Sequence, residues 1–128
     1  MTFNLSTAIA VGLGGFFGAI VRFYIAVEMM KYFPNEIPLA TLLVNIIGSF
    51  FIGVLIALFM IYTPNAFVKI FLITGFLGAL TTYSTFAIES YILLNTNIWY
   101  GVLNISLNVF GSIIAAGSGY KLLYYFVR

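Results

Sequence analysis

The chain has 128 residues, of which 63% are hydrophobic and 6% charged, where a soluble domain carries roughly 25% charged residues; the composition is that of an integral membrane protein, embedded in a lipid bilayer. Cysteine and histidine are absent, which excludes disulfides, thiol chemistry, the commonest metal ligands and the usual proton carrier of neutral pH. The net charge of +2 is too small and too scattered for nucleic-acid binding.

Crossing a bilayer core takes about 20 apolar residues, and four segments are long enough. The N-terminus, Met1-Thr-Phe-Asn-Leu-Ser6, has no basic stretch, and the apolar segment behind it is of spanning length, so no cleaved signal is expected. The first segment runs from about Leu5 to Met30. Gly12, Gly14, Gly15 and Gly18 read as close-packing sites. Arg22 either snorkels to a headgroup or faces a wet vestibule, where it would concentrate anions. Glu28 lies near the membrane edge, and Lys31 to Ile37 is a polar turn containing Pro34 and Glu36.

Pro38 opens the second segment, where a missing backbone donor does no harm; the segment runs to about Tyr62. Thr41 and Asn45 are four apart and share a helix face, which Gly48 and Ser49 continue. After the tight loop Thr63-Pro-Asn-Ala66, the third segment runs from Phe67 to about Leu94. The loop Asn95-Thr-Asn97 leads to the fourth, Ile98 to about Phe126, where Asn104, Asn108 and Ser112 recur at a spacing of four, with Ser106 off the row. Asn45-Ile-Ile-Gly-Ser49 and Asn108-Val-Phe-Gly-Ser112 share a pattern too short to count as a repeat, and we read it as chance. The loops are too short to hold a further domain, so residues 1–128 read as one four-helix transmembrane domain.

The run Gly75-Phe-Leu-Gly-Ala-Leu-Thr-Thr-Tyr-Ser-Thr-Phe86, midway along the third segment, works against a plain helix. Gly75 and Gly78 are poor helix formers. The row Thr81, Thr82, Tyr83, Ser84, Thr85 covers every face of a helix, so some hydroxyls point at protein or water. Irregular backbone at this depth must be buried in protein or line a wet path, and its carbonyls and hydroxyls can form an ion site. The stripes Thr41–Asn45 and Asn104–Asn108–Ser112 offer uncharged donors, which suit a small anion that sheds its water. Such groups also bond helices to each other; two aligned stripes beside a broken helix point to a pathway. Glu89 lies past the run, at a vestibule or an interface. No nucleophile–base pair or phosphate loop is present, so no enzyme is expected.

An even number of helices places both termini and the second loop on one side, with Lys69, Lys121 and Arg128; Lys31 and Arg22 fall on the other. A bias of about one charge is too weak to fix orientation. Insertion both ways would let two copies meet as an antiparallel homodimer about a two-fold axis in the membrane plane.

Gly14-Gly-Phe-Phe-Gly-Ala-Ile-Val-Arg22, Thr41-Leu-Leu-Val-Asn45 with Gly48-Ser-Phe50, and the run from Gly75 to Phe86 together resemble the Fluc (CrcB) fluoride channel family across all four segments. The resemblance implies an all-α membrane protein with a broken third helix, assembled as an antiparallel, dual-topology homodimer with two pores in the bacterial cytoplasmic (inner) membrane. It implies passive fluoride export that relieves fluoride toxicity, and a central structural sodium ion on backbone carbonyls of Gly78 and Thr81. Tyr83 and Phe86 would present ring edges, which carry partial positive charge, to fluoride; Tyr83 stands where the family carries phenylalanine. Asn45, Ser84, Thr85 and Thr41 match pathway positions, Asn104, Asn108 and Ser112 align with the polar track of the fourth helix, and Arg22 and Glu89 fall at the vestibule. A small proton-coupled exporter of lipophilic cations shares the four-helix, dual-topology form, but needs a carboxylate deep in the membrane; neither Glu28 nor Glu89 stands at the midplane of a first helix. A non-transporting assembly subunit would leave the donor stripes without a use.

Overall fold

The computed structural model describes residues 2–34 and 37–127; Glu36 and Arg128 lie outside the described residues. All regular structure among the described residues is helical. α1 spans Leu5–Tyr32 and α2 spans Leu39–Ile61, with Pro38 as the residue before its first turn. The third crossing is divided. α3, residues 66–80, starts as a regular helix over Ala66–Lys69, widens to a π-helix over Ile70–Leu77 and closes with the turn Gly78–Leu80. α4 spans Tyr83–Thr96, and α5 spans Ile98–Phe126. Four spans, Leu5–Tyr32, Leu39–Ile61, Ala66–Thr96 and Ile98–Phe126, are long and apolar enough to cross a membrane. The chain is a multi-pass membrane protein.

Short polar side chains set where the helices begin. The Asn4 Oδ1 accepts the Thr7 N–H at 2.9 Å while the Thr7 hydroxyl accepts the Asn4 N–H, a reciprocal cap on α1. Asn65 accepts the Val68 N–H at the start of α3, and Asn97 accepts the N–H groups of Trp99 and Tyr100 at the start of α5. Such caps matter at a membrane edge, where the first N–H groups of a helix have no partner within it.

Packing depends on glycine more than on large side chains. α2 lies along α5, and α1 lies against α3. A Cβ on Gly53 would collide with the Ala116 carbonyl, and one on Gly119 with the Phe50 carbonyl. At the α1–α3 contact, a Cβ on Gly14 or Gly18 would strike the Phe71 or Phe76 carbonyl. Backbones meet directly at these crossings, as membrane helices do where no hydrophobic force draws them together. A small apolar core of Val44, Leu77 and Leu80, flanked by Ile25, Ile52, Leu55 and Phe76, sits between α2 and the end of α3. Phe16, Phe110, Ile113 and Ile114 face outward, giving a surface that lipid can solvate.

The break falls later than the glycines. Gly75 lies inside the π-helix and Gly78 has helical φ −62° and ψ −32°. The chain leaves the helix at Thr81 (φ −79°, ψ 155°) and Thr82 (φ −146°, ψ 118°), both ordinary extended values open to any residue. Gly75 serves packing instead: an added Cβ would lie 2.8 Å from the Gly14 Cα and 2.9 Å from the Val11 carbonyl. The five hydroxyls therefore straddle the break, two in the extended link and three in the first turn of α4.

Candidate functional site

Two extended residues halfway along a span interrupt the helical ladder, and the Thr82 peptide groups find their partners outside it. Asn45, on α2, supplies the partners. Its Oδ1 accepts the Thr82 N–H at 2.8 Å and its Nδ2 donates to the Thr82 carbonyl at 3.1 Å, so one side-chain amide clamps both polar groups of Thr82. The Thr82 N–H would otherwise close a turn on the Gly78 carbonyl; the clamp withdraws it and leaves that carbonyl without its usual donor. The Thr81 N–H donates to the Leu77 carbonyl at 3.1 Å, and its hydroxyl donates to the same oxygen at 3.0 Å. Thr82 then caps α4, accepting the Thr85 N–H at 3.4 Å, and its hydroxyl donates to that of Thr85 at 2.9 Å.

From the clamp a row of amides continues into α5. Asn45 Nδ2 also donates to Asn108 Oδ1 at 3.0 Å. Asn108 Nδ2 donates to Asn104 Oδ1 at 3.1 Å and to the Asn104 carbonyl at 3.0 Å. Asn104 Nδ2 donates to the Ser90 hydroxyl on α4 at 3.0 Å. A side-chain amide has two N–H donors, and those of Asn45 and Asn108 are both engaged with protein. Asn104 is fully buried, at 0% exposure. In this arrangement the amide stripes bond α2, α4 and α5 together.

Two cavities meet at the break. One, of about 400 Å³, is lined by Asn45, Gly78, Thr81, Tyr83, Phe86 and Ser112, with Asn108 also on its wall. No charged side chain among the described residues lines it. Tyr83 and Phe86 stand edge to face with ring centroids 5.5 Å apart and planes at 66°; Phe86 is buried, whereas Tyr83 is 79% exposed at the mouth. The second cavity, of about 770 Å³, is lined by Arg22, Thr41, Thr85 and Glu89 among apolar walls from Phe23, Met29 and Phe33. Here the Thr41 hydroxyl donates to Glu89 Oε1 at 2.9 Å, while Glu89 Oε2 is buried without a partner. Thr82 lines both cavities, so the unwound link is the partition between them.

The structure thus divides the residues singled out in the sequence. Asn45, Tyr83, Phe86, Asn108, Ser112, Gly78 and Thr81 share one cavity, and Arg22, Thr41, Thr85 and Glu89 share the other. Ser84 is exposed on the outer surface and lines neither, and Asn104 is sealed behind the helices. Thr82, named in the sequence only as one of the hydroxyl row, is the clamp target and cap, and Ser90, as the end of the amide row, is a residue that the sequence did not single out. Ser90 stands four residues after Phe86 and so on its face of α4, a spacing that could have flagged it. The two asparagines of the Asn-x-x-Gly-Ser patterns, whose likeness was read as chance, bond to each other across α2 and α5.

A bundle of four crossings with one helix broken, its link clamped by a half-buried side-chain amide between two cavities, defines a membrane protein built around a transmembrane site rather than a structural anchor. The profile of the family described as CrcB-like protein, Camphor Resistance (CrcB), matches residues 9–120; the chain belongs to that family. A protein of Sulfurimonas denitrificans named "Fluoride-specific ion channel FluC" is 53% identical over 119 residues, 91% of this chain and 92% of its own. Relatives of the same name from a Nitratiruptor species and from Campylobacter jejuni are 50% and 44% identical, covering 83% and 91% of this chain and 83% and 96% of their own.

Proposed function

We propose that this protein is a fluoride-specific ion channel, through which fluoride leaves the cell down its gradient across the cytoplasmic membrane. The observation that carries the reading is the 53% identity, over nearly the whole of both chains, to a relative bearing that name. The smaller cavity supports it physically. Its walls combine hydroxyls and aromatic edges with no fixed charge, a lining that can replace part of an anion's hydration without holding the ion too tightly to leave. In the assembled form two chains pair in opposite orientations as a homodimer, with one pore for each; the near balance of Lys and Arg between the two sides supports insertion both ways.

A central sodium ion is part of the same reading. A hard cation takes oxygen ligands; Gly78, whose carbonyl the clamp on Thr82 frees, and extended Thr81 both line the smaller cavity. Those two carbonyls would hold the ion, and the ion would supply a fixed positive charge that joins the two subunits.

The test is fluoride efflux from liposomes, followed with a fluoride-selective electrode. Fast efflux that needs only a charge-balancing ionophore, with chloride retained, is the expected result; efflux strictly coupled to protons, or none, overturns the channel. In the same assay Phe86→Ile is expected to lower efflux by up to about tenfold, the loss of an aromatic contact of at most about 1.5 kcal/mol, while the variant still elutes as a dimer. For the pairing, a C-terminal tag should be accessible from both sides of the cell membrane; a tag confined to one side refutes dual topology.

A further inference from the structure

We propose that Asn104 is a positioning residue: acting through Asn108 and Asn45, it fixes the unwound Thr82 peptide and with it the first two turns of α4. The amide row is anchored on α4 at both ends. Asn104 holds Ser90 at one end and Asn45 holds Thr82 at the other. Between those anchors lie Tyr83, Thr85, Phe86 and Glu89, the residues of α4 that line the two cavities. α2 and α5 thus brace the one stretch of α4 that begins at mid-membrane with no helix behind it.

The row is also polar in one direction. Each amide donates to the next, from Asn45 to Asn108 to Asn104 to Ser90. Donors and acceptors aligned head to tail in a low-dielectric interior polarise and strengthen one another. Asn104 itself has no exposed surface, so it touches neither lipid nor a passing ion, and its influence on the pathway passes through its neighbours. Deleting its amide leaves the Ser90 hydroxyl without its donor and one Asn108 N–H without its side-chain acceptor, which frees Asn108 to rotate and slackens the clamp on Thr82.

The flux arm of the test rests on the channel reading; the exchange arm does not. Single-residue amide hydrogen exchange is measured in nanodiscs for the wild type, Asn104→Leu, Ser90→Ala and the double variant. The Thr82 amide should exchange about tenfold faster in Asn104→Leu, the weight of about one buried hydrogen bond, and less than that in Ser90→Ala. The double variant should exchange no faster than Asn104→Leu, since one connected row is being cut twice, and the α1 amide of Ala10 should not change. Unchanged Thr82 protection in both variants, or equal loosening at Ala10, overturns the proposal. Should Asn104→Leu not fold, Ser90→Ala decides on the same readout. In liposomes, Asn104→Leu should lower maximal fluoride efflux and leave the half-saturating fluoride concentration in place; a shift in that concentration would put Asn104 in the ion path and overturn the positioning role. A wild type that passes no fluoride defeats the channel reading, and the exchange measurements still decide the brace.

Discussion

Asn45→Leu should reduce fluoride efflux about a hundredfold or more. The substitution keeps roughly the same volume but removes both halves of the clamp, leaving the Thr82 N–H, the Thr82 carbonyl and Asn108 Oδ1 without their partner. A buried polar group left without its partner costs about 1–3 kcal/mol, and three such groups exceed the ~2.7 kcal/mol that a hundredfold change represents. The N–H has one cheap alternative, which is to close the turn on the Gly78 carbonyl and extend α3. That rearrangement removes the free carbonyl and swings Tyr83 and Phe86 off the cavity wall. Efflux from liposomes and thermal melting in detergent should therefore fall together. Asn45→Asp retains an acceptor for the Thr82 N–H but places a negative charge on the wall, so its melting should suffer less than that of the leucine variant while its efflux stays low. Normal efflux through Asn45→Leu would show that the clamp is dispensable.

Gly53→Ala and Gly119→Ala should each prevent recovery of folded protein. The added methyl at position 53 meets the Ala116 carbonyl and lies 2.8 Å from the Tyr120 nitrogen; at position 119 it meets the Phe50 carbonyl. These neighbours are backbone and cannot turn aside as a side chain would. The two helices must separate along their length, at a cost of about 3 kcal/mol or more per site. A contrast comes from Gly12 and Gly117, where an added Cβ finds nothing within 4 Å in the protomer. Alanine there should leave the fold of the chain intact and favour its helices by about 1 kcal/mol. Yield and circular dichroism in detergent measure all four variants; wild-type yield and melting for Gly53→Ala would show that the α2–α5 crossing is looser than described.

The four crossings were legible because lipid imposes one requirement, a run of apolar residues long enough to span, and composition alone meets or fails it. The break was legible in its neighbourhood and not in its position. Glycine costs a helix about 1 kcal/mol, so Gly75 and Gly78 looked like the point of failure. The close approach of Gly14 and Val11 to Gly75 gives the glycine a packing role that local sequence does not show. Thr81 and Thr82 leave the helix because Asn45, more than thirty residues away, receives the Thr82 peptide. The amide stripes were visible as stripes, but spacing on one helix does not say what faces it. Asn108 finds Asn45 and Asn104 finds Ser90 only when α2, α4 and α5 are brought together. Ser84, in the middle of the hydroxyl row, shows the same limit from the other side, since it points outward.

The interruption at Thr81 and Thr82 also has an electrostatic meaning. A continuous helix keeps its dipole ends at the two membrane surfaces, where water and headgroups screen them. Cutting the Ala66–Thr96 span in its middle brings one end of each half into the interior: the carbonyl end of α3, equivalent to about half a negative charge, and the amide end of α4, equivalent to about half a positive one. The two poles stand back to back, separated by two residues and screened by little. The first pole suits a cation and the second an anion, so the direction of the peptide backbone by itself separates the two signs at mid-membrane.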